Sequence, residues 1–178
     1  MTEKTCCFFG HKKINETDEL KAKITKTVEE LICKGVDTFL LGSNSRFNEI
    51  CVEIMCQIKE KHPHIKRVYV RAEYPYIDEA YKAYLLNFCD ETYFPERLSD
   101  AGKAVYVERN REMIDKSRFC IVYYEEGYTP SSRSKTSDML PEARKSGTKL
   151  ALDYAIKKKK EIFVFTASGL LPPCSAPL

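Results

Sequence analysis

Apolar residues fall along the chain in blocks of two alternating kinds. The first is a short continuous run, as at 5–9 (TCCFF), 36–41 (VDTFLL), 65–71 (IKRVYVR), 118–124 (RFCIVYY) and 160–165 (KEIFVF). Such runs, closed by Gly or polar residues, predict strands buried on both faces. The second kind repeats every three to four residues. Leu20, Ile24, Val28, Leu31 and Ile32 share one helical face, with Asn15 or Thr17 as candidate cap and Gly35 as the stop. Phe47, Ile50, Cys51, Ile54, Met55 and Ile58 form a second stripe, which core packing on a sheet accounts for in full. Further helices are predicted at 100–116, with Val105, Met113 and Ile114 inward, and at 147–159; a short helix fits 78–88 and a short extended piece 92–94. Residues 125–146 read as a polar loop.

Strands separated by helices predict an α/β chain with a Rossmann-like, doubly wound, mostly parallel sheet and helices on both faces. One domain is expected over 1–166, followed by a loosely ordered, Pro-rich tail over 167–178. The total of 178 residues fits one domain of ordinary size. The net charge of +3 sets aside a polybasic nucleic-acid arm, and no groove of interleaved basic and aromatic residues is evident, so nucleic acid is not the expected partner. No apolar run approaches the roughly 20 residues that cross a bilayer, and the first residues lack a leader-type apolar stretch. A cytoplasmic protein without a membrane partner is therefore expected. The eight cysteines contain no CxxC pair and sit mostly in apolar runs. They read as small buried hydrophobes in a reducing compartment, with no metal ligand set.

In doubly wound folds ligands bind beyond the carboxyl ends of the strands. Gly10-His11-Lys12-Lys13 follows the first predicted strand and Gly42-Ser43-Asn44-Ser45 the second. Both are turns in which backbone N–H groups can approach an anion before a helix begins. Arg71 and Glu73 follow the third strand. Gly147-Thr148 opens the last helix and forms a second candidate phosphate cradle. Arg109, with Asn110 beside it, shares a helical face with Met113 and can pair internally or present its fork to a phosphate.

Several of these segments resemble a known family. CCFFGHKK, GSNSRFNEI, RVYVRAEYPYIDEAY, DETYFPE, YVERNREMIDKS and KSGTKLALDYAIKKKKEI, in that order over about 5–165, resemble the YpsA-like proteins of bacteria and phages. That group belongs to the SLOG superfamily, which joins the DprA/Smf proteins to the cytokinin-activating LOG enzymes. The resemblance implies a Rossmann-like fold and a nucleotide or nucleotide-derived ligand, with Gly10, Gly42, Gly147 and Thr148 lining its site. It likens Arg109 and Met113 to the Arg-x-x-x-Met helix of the LOG branch. Departures are present: Ser45 replaces the family's second loop Gly, Asn48 its Asp, and Ala151 the catalytic Glu of the LOG enzymes.

The expected function is thus binding, in a sensing or sequestering role, of a nucleotide or nucleotide-derived ligand without strong catalysis. No catalytic residue and no cofactor is assigned. The expected ligand contacts are Gly10, His11, Gly42, Ser43, Asn44, Arg71, Glu73, Arg109, Asn110, Met113, Gly147 and Thr148. One alternative is a hydrolase of an N-glycosidic or phosphoester bond, drawing its carboxylate from Glu73, Asp78 or Glu126. Another is a ligand-free interaction module. Assembly into a homo-oligomer is compatible with either.

Overall fold

The computed structural model describes residues 2–42, 45–128 and 146–171. Seven strands form one sheet in the order β4-β3-β2-β1-β5-β6-β7. In chain order they are β1 (Thr5–Gly10), β2 (Thr38–Leu41), β3 (Lys66–Val70), β4 (Glu91–Tyr93), β5 (Phe119–Tyr123), β6 (Glu161–Thr166) and β7 (Gly169–Leu170). All neighbours run parallel except β6 and β7, which pair as an antiparallel ribbon. Among the described residues five α-helices connect them: α1 (Asp18–Cys33), α2 (Arg46–Lys61), α3 (Glu79–Leu86), α4 (Val105–Asp115) and α5 (Gly147–Lys157).

The continuous apolar runs become strands because both faces of the sheet are covered. Along β1, Cys6 and Phe8 point into a core built with α1 and α2, whereas Cys7 and Phe9 point into a second core built with α4 and α5. The helical stripes are the surfaces that close these cores. Leu20, Ile24, Val28 and Leu31 of α1, with Phe47, Ile50 and Met55 of α2, close the first. Met113 and Ile114 of α4, with Ala151, Leu152 and Ala155 of α5, close the second. Thr17 starts α1 by accepting the Leu20 N–H on Oγ1 at 3.1 Å.

Two boundaries differ from expectation. The helix predicted from residue 100 begins as α4 only at Val105, because Gly102 has φ +52° and a single 3₁₀ turn, Gly102–Ala104, precedes the helix. An α-helix cannot run through a left-handed residue. The sheet also extends into the segment read as a loose tail, where Thr166 pairs with Gly169, φ +122°, and Phe165 with Leu170 across a turn at Ala167 and Ser168. Among the described residues no helix is long and apolar enough to cross a membrane, and the cysteines are free thiols.

Candidate functional site

The strand order places the site. From β1 the chain winds outward through β2, β3 and β4, then returns to lay β5 on the other side of β1. The connections therefore leave the carboxyl ends of β1 and β5 in opposite directions, and a crevice opens between them. A cavity of about 190 Å³ occupies it. Gly10, His11 and Lys12 line it from the end of β1, Ser45 and Asn48 from α2, and Tyr106, Arg109 and Asn110 from α4. Tyr128 and the start of α5, Ser146 to Thr148, close the far side.

His11 forms part of the floor. Its ring is 1% exposed, and Nε2 lies 2.9 Å from the Glu125 backbone N–H that donates to it. The Glu125 carbonyl is farther, at 3.3 Å. The shorter contact assigns Nε2 as acceptor, which puts the proton of the neutral ring on Nδ1. Burial lowers the His11 pKa, reinforcing the neutral form. Tyr128 stacks on the imidazole at 3.9 Å between centroids, and its hydroxyl accepts the Lys13 N–H at 3.1 Å. His11 thus ties the end of β1 to the segment that follows β5.

Arg109 supplies the positive charge. It is 2% exposed, and its Nε donates to Asn110 Oδ1 at 3.0 Å. Burial lowers its pKa to about 10, with Tyr69, Tyr106 and Glu73 opposing that shift, so it stays cationic at neutral pH. The guanidinium lies against the backbone of Gly42: a Cβ there would stand 2.6 Å from Nη1. At Gly10 a Cβ would stand 2.5 Å from the Phe47 ring. Gly10 is required by the close packing of Phe47 from its Cβ outward, whereas at Gly42 the neighbour is the end of the Arg109 side chain.

The two helix starts at the cavity differ in how their amides are used. In α2, the Arg46 N–H donates to Lys12 O at 3.1 Å and the Asn48 N–H to Ser45 Oγ at 3.0 Å. In α5, Ser146 Oγ accepts the Lys149 N–H at 3.2 Å. The Gly147 and Thr148 N–H groups have no partner among the described residues. Unused first-turn amides and the positive helix end favour an anion.

Of the residues expected at the site, the fold gathers Gly10, His11, Arg109, Asn110, Gly147 and Thr148 around this one cavity. Gly42 backs Arg109 and borders an adjoining hollow. Met113 is 0% exposed and packs in the second core. Arg71 holds the turn after β3, its Nη1 donating to Tyr74 O at 2.7 Å. Glu73 is exposed and accepts the Tyr106 hydroxyl, so it reaches the cavity only through that ring. Ser43 and Asn44 lie outside the described residues. Asp78 caps α3 by accepting the Tyr81 N–H at 2.7 Å, Glu126 is exposed, and Ala151 is buried in the second core.

Phe9, Lys12, Ser45, Asn48, Tyr106, Tyr128 and Ser146 also line the cavity without having been among the expected contacts. Ser45 was readable as a helix cap; Tyr106 and Tyr128 carry no local signal. A larger hollow of about 540 Å³ lies at the opposite, amino ends of β2, β3 and β4. Its lysines Lys4, Lys66 and Lys116 pair with Asp37, Glu91 and Glu112, which leaves it little pull on an anion. Neither the known protein-family models nor the curated proteins give a sequence match to this chain.

Proposed function

We propose that the chain binds a phosphate-bearing nucleotide, or a derivative of one, in the crevice between β1 and β5. The observation that carries this reading is a convergence. Two amides opening α5 that have no partner among the described residues and the buried cation Arg109 line the same cavity at the point where the sheet reverses its winding. An anion placed there would meet backbone donors, a helix dipole and a guanidinium fork. The resemblance of several segments to the YpsA-like branch of the SLOG superfamily supports the same reading. So does Ala151, which leaves no carboxylate at the position where LOG enzymes carry their catalytic Glu. Binding for sensing or sequestration is favoured over turnover, and the free cysteines support a cytosolic setting.

Calorimetry against an adenine-nucleotide panel tests the proposal. Micromolar to low-millimolar binding of AMP is expected, abolished in Thr148→Glu, which brings a like charge to the phosphate. Absence of binding by every nucleotide at millimolar concentration would turn the reading toward an interaction module. A second reading, hydrolysis, draws on the contact between Glu73 and Tyr106. Base release from AMP faster than about 1 per second, lost in Glu73→Gln, would establish it.

A further inference from the structure

The crevice cavity, at about 190 Å³, is smaller than the roughly 300–1,000 Å³ typical of small-ligand sites. It accounts for a phosphate and sugar more readily than for a whole nucleotide. A second hollow of about 300 Å³ adjoins it. Asn48 lines both, and Arg109 of the first lies against the backbone of Gly42, which lines the second. The chemistry changes across this boundary. The first hollow carries the cation and the open amides; the second is walled by Tyr69, Tyr84 and Phe88.

These rings form a connected series. Tyr69 meets Phe88 edge-on at 5.7 Å, Phe88 meets Tyr84 edge-on at 5.7 Å, and Tyr84 lies nearly parallel to Tyr81 at 6.0 Å. Tyr84 is nevertheless 60% exposed, so much of its ring remains uncovered. An exposed ring beside an anion cradle can stack a partner with a flat π-face. Glu49 adds a carboxylate to the same lining; its Oε2 accepts from Arg46 Nη1 at 2.9 Å. A carboxylate edge suits a ring bearing N–H donors.

We propose that this second hollow is the seat of the nucleobase, stacked on Tyr84 with an N–H-bearing edge toward Glu49, while the phosphate lies at Arg109 and the start of α5. The proposal rests on the nucleotide reading and adds to it where the base lies.

Binding of AMP and of ribose 5-phosphate to the intact chain, measured side by side, separates the two claims. AMP is expected to bind at least tenfold more tightly than ribose 5-phosphate. Tyr84→Ala should remove about tenfold of the AMP affinity, the loss of one stacking partner. It should leave ribose 5-phosphate unchanged, and Tyr84→Phe should restore AMP. The chain has no Trp, so Tyr84→Trp installs a single indole at the proposed seat. Its emission should be quenched by AMP and not by ribose 5-phosphate. If AMP binds with unchanged affinity in Tyr84→Ala, the base lies elsewhere and this proposal falls while the phosphate reading stands. Equal loss of both ligands in Tyr84→Ala also overturns it, by showing a general effect on the fold. If neither ligand binds the unaltered chain, both readings fall together.

Discussion

At the start of α2 the chain is packed against itself; at the start of α5 it is open. Phe47 of α2 fills the space that a side chain at Gly10 would need, and the helix's first amides are largely taken by Lys12 and Ser45. Among the described residues a Cβ at Gly147 would meet nothing within 4 Å, and the amides beside it have no partner. The two helix starts share one cavity but do different work. One is a wall that sets its shape; the other leaves its first amides without a partner among the described residues. Glycines that look equivalent in the sequence thus differ: Gly10 is required by a contact already made, whereas nothing among the described residues requires Gly147.

Substitutions can break or sharpen this contrast. The largest effect is expected from Phe47→Ala, which empties the wall. Its ring is fully buried, so a loss of about 3–5 kcal/mol in urea unfolding is expected. Gly10→Ala should cost about 1–3 kcal/mol, since a methyl at 2.5–2.8 Å meets Cβ and Cγ of Phe47 as well as the ring edge, and α2 must shift. A neutral result would show the wall to be soft. Arg109→Met keeps the bulk and removes the charge. Nucleotide affinity should fall by about 10- to 100-fold, the worth of a charge-assisted hydrogen bond, as read by calorimetry.

A smaller effect is expected from pH. Burial lowers the His11 pKa from its ordinary 6.5, so below that value the unfolded chain takes up a proton that the folded chain resists. Stability due to His11 is therefore complete above about pH 6.5 and is lost as pH falls toward the depressed folded value. The drop in melting temperature from pH 7.5 to 5.5 should be smaller in His11→Gln than in the unaltered chain. The smallest effect is expected from Gly147→Ala, a gain of a few tenths to about 1 kcal/mol, because Ala is the better helix former and meets no neighbour. Destabilisation as large as that of Gly10→Ala would abolish the contrast.

The sheet was legible in the sequence wherever a strand was covered on both faces, because such strands are continuous apolar runs. The ribbon at β7 was not, since Gly169 and Leu170 give a two-residue pairing with no periodicity to read. The start of α4 was misplaced because nothing local marks Gly102 as left-handed. Strand-end glycines pointed to the edge of the sheet where the crevice cavity lies. What they could not supply was distance across the strand order. Arg71 and Glu73 also follow a strand, but β3 lies two positions from β1, and they serve the turn and the rim there. The pairing of Tyr128 with His11 depends on β5 lying beside β1, a tertiary fact with no sequence spacing to announce it.

The pairing of β1 with β5 also bears on how the protein folds. Cys7 and Cys120 are register partners although 113 residues separate them. β1 can pair with β2 as soon as α1 has formed, but the crevice has only one side until the chain has closed that long loop. The cavity is therefore among the last features to be completed as the chain folds. A ligand that fits it recognises finished molecules alone, draws the folding equilibrium toward them, and can report on the last step of folding as well as on the site itself.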